Sequence, residues 1–402
     1  MKILHISYEI YPVVGGTSTL LQYLMEGLEG SDCEIHLVTK TIDPNHNHVI
    51  KHGSSKIYTI FCADAEQMNP AVEFKTQMSF MRCIRKIVED GVRFDLIHIH
   101  DALPIDLVPN LKKAFNIPVV MSYHITHHIL KEQAALTQDP DIAKNTVALR
   151  LEEKGAQLAD FYIAASKATK QWLVEYYKIP ETKISLIPYG INLDEYPEEI
   201  EYLQLKRELG GEDKKIILYA GRFTLQKGLD YLIEAFKKTI LRIPNIKLVL
   251  IGEGRKENEI REKLSQLGED CYEIIPKIPF TKLPPYYRCA DVVVMPSIFE
   301  PFGMVSIEGM ASQAMMIISN IDGLSEIVKD QFNGLALQVE ENSSGQRQID
   351  AELLSQLIVE ALTDEEMNMR LRVNARKFVM NRYSKELFAE NMYRYYRNII
   401  KQ

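Results

Sequence analysis

The sequence predicts an α/β protein with two domains, each built on a doubly wound parallel sheet. The chain has 402 residues, which is too long for one hydrophobic core. Short apolar runs, such as residues 292–295, have the composition of strands that are buried on both faces of a parallel sheet. Helical segments alternate with these runs, as is typical of a sheet covered by helices on both faces. We therefore expect ligands to bind at the carboxyl ends of the strands.

The first domain is expected to span residues 1–194. It begins with a strand over residues 3–7, which leads through Gly15 and Gly16 into a helix from about residue 17 to 28. A strand, a glycine pair and a helix start form a loop whose backbone a phosphate or a sugar can approach closely. By itself the glycine pair is equally typical of a plain tight turn.

Two later strands of the first domain end in histidines. Residues 94–101 carry His98 and His100, and residues 119–124 end at His124. Buried histidines more often complete hydrogen bonds in a core than carry out chemistry, and we interpret His98 in that way. His124 ends its strand at the ligand-binding edge, where a neutral imidazole or its backbone carbonyl could hydrogen-bond a hydroxyl group of a ligand.

His127 and His128 stand directly after this strand. They follow His124 too closely for all three to face one site, and we assign them no role. A helical segment is expected from about residue 130 to 158 because its charged and apolar residues alternate at helical spacing.

No metal site is predicted. His46, His48 and His52 lie in or beside a polar loop over residues 43–51, but no carboxylate or cysteine completes a ligand set. A solvated loop is the favoured interpretation. The five cysteines are scattered with no close pair, which indicates reduced thiols rather than a disulfide frame or a zinc site.

Composition and charge limit the compartment and the partners. The chain is 46% hydrophobic and 25% charged, as in soluble globular proteins. Its net charge of −8 argues against a nucleic-acid partner and against an obligatory anionic membrane. No apolar run approaches the roughly 18 residues that a membrane span needs, and no signal peptide precedes the first strand. We expect a cytoplasmic protein and leave peripheral membrane association and oligomeric state open.

Residues 195–213 are rich in charge and are expected to form a hinge or linker before a second domain over residues 214–384. That domain begins with a strand over residues 216–220 and a loop that carries Arg222 and Lys227. Two cations on one strand-to-helix loop are placed to hold a pyrophosphate. An exposed lysine or arginine is usually just solvated, so the loop position favours phosphate contact over that alternative.

The stretch from residue 291 to 328 contains two glutamates, Glu300 and Glu308. A strand ends before Glu300, and a helix begins after Gly303, so the amides of Gly303 and Met304 lie at a helix N-terminus that can bind a phosphate. Glu308 lies just over one turn inside the helix, so both carboxylates can project toward one crevice. A loop glutamate and a solvated helix face would explain either residue alone. The whole arrangement suits a ligand with phosphate in the middle and hydroxyl groups at both ends.

The motif PSIFEPFGMVSIEGMA resembles the donor-site signature of retaining glycosyltransferases of the GT-B architecture. This group includes glycogen and starch synthases, sucrose-phosphate synthases and many bacterial hexosyltransferases. The resemblance implies two Rossmann-like domains facing a central cleft, with a last helix over about residues 385–402 that packs back on the first domain. It also implies transfer of a hexose from a nucleotide-diphosphate sugar to a sugar or other hydroxyl acceptor.

The resemblance further implies roles for individual residues. Glu300 would contact hydroxyl groups of the donor sugar, and Glu308 would contact the ribose of the nucleotide. The catalytic residues would be His124, Arg222, Lys227 and Glu300. The residues that bind the donor would be Gly15, Gly16, Arg222, Lys227, Phe302, Gly303, Met304 and Glu308. Arg222 and Lys227 would hold the diphosphate, and no DxD pair stands out, so a metal is not expected to be required.

Several alternatives stay open. Glucose on ADP or UDP is favoured as the donor, with GDP-mannose next, and the acceptor cannot be read from the sequence. Because no defensible carboxylate nucleophile stands out, we expect a same-face displacement with the leaving phosphate as base. A sugar-nucleotide epimerase or hydrolase and a non-catalytic sugar-nucleotide-binding subunit are the competing interpretations. Three departures from the family pattern are Val13-Val14 before the glycine pair, Gly309, and Gln313-Ala314-Met315, and the first puts polymer synthesis in question.

Overall fold

The computed structural model describes residues 1–11, 16–43, 45, 49–62, 70–129, 131, 142–210 and 213–401. The chain forms two compact units, one of residues 1–190 with 385–402 and one of residues 191–384. The second unit therefore begins four residues before the predicted hinge. It includes the segment predicted as a linker, in which residues Leu203–Glu208 form a helix.

The first unit contains an eight-stranded sheet among its described residues. Its strands are buried and apolar in the centre, which explains why they read as continuous apolar runs. In chain order they are β1 (Lys2–Ile10), β2 (Glu34–Thr41), β3 (Val49–His52), β4 (Ser55–Phe61), β5 (Leu96–His100), β6 (Val119–Tyr123), β7 (Phe161–Ala164) and β8 (Ile184–Leu186). The spatial order is β3-β4-β2-β1-β5-β6-β7-β8, and every pair except β3–β4 is parallel.

One hairpin of this sheet departs from the predicted loop over residues 43–51. The end of that segment forms β3, which pairs antiparallel with β4 at the sheet edge. Alternating exposed and partly buried residues let a polar segment serve as an edge strand. Of the histidines predicted there, His46 and His48 lie outside the described residues.

Helices connect the strands of the first unit. They are α1 (Gly16–Gly27), α2 (Pro70–Glu89), α3 (Val108–Phe115), α4 (Ile142–Leu158) and α5 (Lys167–Glu175). Ser166 caps α5, because its side chain accepts a hydrogen bond from the amide of Thr169, 3.0 Å away. The part of the predicted helical segment that precedes α4, residues 130 and 132–141, lies outside the described residues.

The last helix of the chain belongs to the first unit. It packs against α1 so closely that a Cβ added at Gly27 would lie 2.6 Å from the Cβ of Ala389. An ion pair between Lys385 and Glu26, at 3.2 Å, spans the same contact. A glycine at this crossing allows the two helices to approach each other.

The second unit contains a six-stranded parallel sheet, which matches the predicted fold class. Its strands are β9 (Lys215–Ala220), β10 (Ile246–Ile251), β11 (Tyr272–Ile275), β12 (Val292–Met295), β13 (Met316–Ser319) and β14 (Leu335–Leu337), in the spatial order β11-β10-β9-β12-β13-β14. A separate small hairpin pairs β15 (Glu340–Glu341) with β16 (Arg347–Gln348).

The remaining helices belong to the second unit, apart from the last one. They are α6 (Leu203–Glu208), α7 (Leu229–Ile240), α8 (Glu257–Ser265), α9 (Pro284–Cys289), α10 (Met304–Ala311), α11 (Leu324–Ile327), α12 (Ala351–Thr363), α13 (Glu365–Met380) and α14 (Lys385–Ile400). No helix within the described ranges is long and apolar enough to cross a bilayer.

Candidate functional site

The loops that follow β9 and β12 touch each other at the carboxyl edge of the second sheet. The two strands are neighbours, so both loops start at the same edge. The amide of Ile298 donates to the carbonyl of Gln226 at 2.9 Å. Gly228 has a φ of 67°, and a Cβ there would lie 1.8 Å from the carbonyl oxygen of Pro296. Only glycine permits this contact between the loops.

This contact brings Lys227 to Glu300. Their side chains form an ion pair and are 17% and 13% exposed, respectively. The hydroxyl of Tyr219 lies near both Glu300 and Arg222. Burial raises the pKa of this hydroxyl, and the negative charge of Glu300 raises it further. The positive charge of Arg222 lowers the same pKa. Arg222 itself is exposed and pairs with no described residue. Three of the predicted residues therefore lie together at one sheet edge.

The backbone at Glu300 is fixed by two residues that the sequence did not reveal. The buried carboxylate of Asp322 accepts hydrogen bonds from the Glu300 amide at 3.1 Å and from the Arg347 guanidinium at 2.9 Å. Arg347 also donates to the carbonyl of Ile298 at 3.0 Å. The partners are separated by 22 residues or more, and no local pattern marks them, so only the folded chain shows this support.

The predicted helix start after the second loop is present. Gly303 has a φ of 109° and precedes α10, and a Cβ at this position would lie 2.3 Å from a methyl group of Leu324. The first amides of α10, beginning at Met304, have no partner within the helix, which makes this end suitable for an anion. Phe302 is buried and packs edge-on against Tyr383, with ring centroids 5.8 Å apart.

Glu308 lies on α10 and has a different environment from Glu300. The Tyr287 hydroxyl donates to its carboxylate at 3.1 Å. Burial raises the pKa of Glu308 from 4.5 to about 7; the Tyr287 hydrogen bond opposes this shift, and the charge of Glu195 adds to it. A carboxyl group with this pKa changes its charge near neutral pH, where a hydrogen bond from a ligand would favour the ionised form.

In the first unit, the structure describes one residue of the predicted glycine pair. Gly15 lies outside the described residues, and Gly16 is the exposed first residue of α1. A Cβ at Gly16 would meet nothing within 4 Å, so the space at this position does not require glycine.

His124 lies where it was predicted, directly after β6. Its amide donates to the Asp101 carboxylate at 3.0 Å. Its ring nitrogens face two other side chains, because Nδ1 lies 2.6 Å from the Tyr189 hydroxyl and Nε2 lies 3.0 Å from Nδ1 of His100. Both polar atoms of the imidazole are thus engaged within the first unit.

These contacts belong to a series of hydrogen bonds through the core, which we call the histidine chain. Its members are neutral polar groups, each bonded to the next at 2.6–3.2 Å. In order, they are Ser122, His98, Tyr396, His5, His100, His124 and Tyr189.

Burial keeps the histidine chain neutral. It lowers the pKa of His5 to about 3, and it lowers the pKa values of His98, His100 and His124 as well. A neutral imidazole has one donor and one acceptor, and the chain uses both on every ring. Of the two options predicted for His124, the imidazole therefore has no ring nitrogen left for a ligand, and the backbone carbonyl remains.

Comparison with solved structures identifies the architecture. Sucrose-phosphate synthase from Thermosynechococcus elongatus superposes with a TM-score of 0.81 at 24% identity, covering 100% of this chain and 99% of that one. Anabaena HepE, in complex with UDP and glucose, gives a TM-score of 0.72 at 17% identity, with 98% and 99% covered. Both likenesses show the fold.

Comparison of sequences identifies the family. A model described as Glycosyltransferase Family 4 matches residues 14–195, and one described as Glycosyl transferases group 1 matches residues 203–378. An uncharacterized glycosyltransferase of Methanocaldococcus jannaschii is 30% identical over 358 residues, which cover 83% of this chain and 84% of the relative. The chain is a glycosyltransferase of the GT-B superfamily. The predicted family and fold are thereby confirmed.

Removing the Tyr396 hydroxyl should destabilise the first unit of this glycosyltransferase. In Tyr396→Phe, the ring nitrogens of His98 and His5 that face this hydroxyl lose a buried partner, which costs about 1–3 kcal/mol. Fluorescence of Trp172, the single tryptophan, reports unfolding of this unit. Tyr393→Phe is the matched control, since its hydroxyl bonds to exposed Asp32 on the surface. Equal denaturation midpoints for the two variants would contradict a stabilising role of the Tyr396 hydroxyl in the histidine chain.

Glu308→Gln should stabilise the glycosyltransferase more at pH 8 than at pH 5. The folded carboxyl keeps its proton up to about pH 7, whereas the unfolded one loses it near pH 4.5. Ionisation therefore favours the unfolded state as pH rises between these values, and wild-type stability falls across that window. Glutamine removes this cost, on the order of 3 kcal/mol above pH 7. Calorimetry of the wild type and the variant at both pH values measures this difference in stability. A gain in stability that is the same at pH 5 and pH 8 would contradict the raised pKa of Glu308.

Proposed function

We propose that this glycosyltransferase moves a hexose, with glucose as the first candidate, from a nucleotide-diphosphate sugar to a hydroxyl group of a sugar or another acceptor, with retention of the anomeric configuration. The observation that carries the proposal is the pairing of Lys227 with Glu300 beside the open start of α10. A cation, a carboxylate and free helix amides at one sheet edge match a ligand that joins a diphosphate to a sugar.

The cations and the helix start would stabilise the leaving group. As the bond between the sugar and the diphosphate breaks, negative charge grows on the phosphate oxygen. Lys227, Arg222 and the amides of Gly303 and Met304 would face that charge without needing to reorganise. Two protein cations can take the place of a divalent metal here, so transfer is expected to continue in EDTA.

The carboxylates would bind the two hydroxyl-rich ends of the donor. When Lys227 turns from Glu300 to the phosphate, Glu300 gains free lone pairs for hydroxyl groups of the sugar. Glu308 would accept hydrogen bonds from the ribose and would lose its proton on binding, because those bonds favour the ionised form. Phe302 would support this loop through its packing on Tyr383.

The first unit would contribute the carbonyl of His124, since the ring nitrogens of that residue are engaged in the histidine chain. The carbonyl would accept a hydrogen bond from a sugar hydroxyl. The roles of Gly15 and Gly16 stay predictions that rest on the family resemblance. Retention would follow from a same-face displacement in which the departing phosphate oxygen takes the proton of the acceptor hydroxyl.

The proposal is tested by supplying donors with and without acceptors. UDP-glucose is the first donor to test because HepE was solved with UDP and glucose, followed by ADP-glucose and GDP-mannose. Hexoses, hexose 6-phosphates and a cyclitol serve as acceptors. We expect one donor to release its nucleoside diphosphate faster with an acceptor, and NMR of the product to show the anomeric configuration of the donor. Equal release without any acceptor would favour a hydrolase, and inversion would contradict the mechanism.

Lys227→Ala is expected to lower the rate of transfer about 10²–10³-fold, because the developing phosphate charge loses its main partner. Lys237→Ala is the matched control, since Lys237 lies on α7 of the same unit and, among the residues that the structure describes, pairs only with the neighbouring surface residue Glu234. Initial rates at saturating donor measure the difference. Wild-type turnover in the Lys227 variant would remove the lysine from the mechanism.

A further inference from the structure

We propose that His127 is the imidazole that receives a hydroxyl group of the acceptor, and that Glu152 orients it for this task. The inference rests on the proposed function and deepens it, because it names the side chain in the first unit that selects and directs the acceptor. His127 follows β6 by four residues and so lies near the carboxyl edge of the first sheet, where ligands of parallel sheets bind.

A buried carboxylate fixes the position of the His127 ring. Glu152, on α4, is 2% exposed and lies 2.6 Å from Nδ1 of His127. The same carboxylate accepts the amide of His127 at 2.9 Å, so both the backbone and the side chain of this histidine are held by one group. Two such bonds leave the ring little freedom to rotate.

Glu152 is itself held from behind. The Tyr177 hydroxyl donates to its second oxygen, and the Tyr123 hydroxyl donates to its backbone carbonyl at 2.7 Å. The carboxylate thus accepts from two donors, the Tyr177 hydroxyl and the His127 amide. The Glu152 carboxylate therefore has hydrogen-bond donors even without the imidazole. The effect of its contact with the His127 ring is to orient that ring.

The contact also decides which ring nitrogen has a lone pair. An ionised carboxylate only accepts hydrogen bonds, so Nδ1 of His127 must carry the hydrogen. In a neutral imidazole, Nε2 then has the free lone pair and can accept a hydrogen bond. Nε2 bonds to no described residue and is not among the buried atoms without a partner. The side chain is 23% exposed, so a ligand can reach this atom.

The other histidine at the same strand end cannot serve in this way. Both ring nitrogens of His124 are bonded within the histidine chain, whereas His127 offers one. A lone pair on Nε2 can accept a hydrogen bond from a neutral hydroxyl group. An anionic phosphate needs a hydrogen-bond donor, which this atom does not provide. His127 would therefore accept a hydrogen bond from a hydroxyl group of a sugar or polyol acceptor other than the one that reacts, and this bond would hold the acceptor in a fixed orientation.

Two isosteric substitutions separate orientation from structure. In His127→Asn, the amide nitrogen can replace Nδ1 and keep the bond to Glu152, but no acceptor stands at the position of Nε2. In His127→Gln, the amide reaches that position, and its oxygen can accept the hydroxyl. His128→Asn, one residue further on, is the matched control, because the His128 ring stacks on Tyr176 with the ring centroids 3.7 Å apart.

The experiment uses the full chain with the donor and acceptor found for the wild type. We expect His127→Asn to lower kcat/KM for the acceptor about 10–100-fold, the value of one lost hydrogen bond, with the KM for the donor within about twofold of wild type. His127→Gln should recover part of this loss, and His128→Asn should match wild type. ¹⁵N spectra of labelled imidazoles should show His127 with hydrogen on Nδ1 and a free Nε2.

Two results would overturn the inference while leaving the proposed function intact. One is an unchanged kcat/KM for the acceptor in His127→Asn. The other is a KM for the donor that rises by as large a factor as kcat/KM for the acceptor falls, which would indicate a structural role. Failure of the proposed function looks different, because the wild type itself would then release nucleoside diphosphate at the same rate with and without every acceptor. That result would withdraw the role of His127 together with the function.

Discussion

The contact between the loops after β9 and β12 is the constraint on which the second-unit site depends. Lys227 and Glu300 are 73 residues apart, and they meet because two neighbouring parallel strands end at the same edge. The loops can touch only where Gly228 leaves room for the Pro296 carbonyl. In this arrangement the cation and the carboxylate neutralise each other, so neither charge is left unpaired at a position where the two side chains are 17% and 13% exposed.

The same loop is reinforced from the opposite side. Asp322 and Arg347 fix the backbone before and at Glu300, so the carboxylate projects from a rigid support. Arg347 comes from the short hairpin of β15 and β16, which pairs with no described strand of the six-stranded sheet. Catalytic groups generally need such support, because small displacements of a positioned side chain reduce the stabilisation of the transition state.

The first unit uses its histidines in two ways that differ in hydration. The histidine chain is buried and stays neutral, and each ring donates one hydrogen bond and accepts another, which satisfies polar atoms that would otherwise cost free energy in the core. His127 lies at the surface against a buried carboxylate, which leaves one nitrogen free. Burial, rather than residue type, therefore separates a structural imidazole from one that can meet a ligand.

The sequence by itself determined the fold class, most of the strands and the residues that gather at the second-unit edge. Apolar runs that alternate with helices admit few arrangements, and the motif around Glu300 is local. Its departures from the family pattern acquire reasons only in the structure. Gly309 leaves space that the Met316 thioether fills, and Gln313 adopts a left-handed φ of 55° while its side chain accepts a hydrogen bond from Arg288 at 2.8 Å.

Tertiary structure alone decided which side chains are engaged and which are free. The partners of Glu300, His124 and His127 come from elements 22 to 73 residues away, and hydrogen bonds at such separations leave no periodic pattern in the sequence. The edge strand β3 was missed for a similar reason, because pairing with β4 stabilises a polar segment whose local preference is for a loop. Local preference fixes the elements, whereas long-range contacts fix the chemistry.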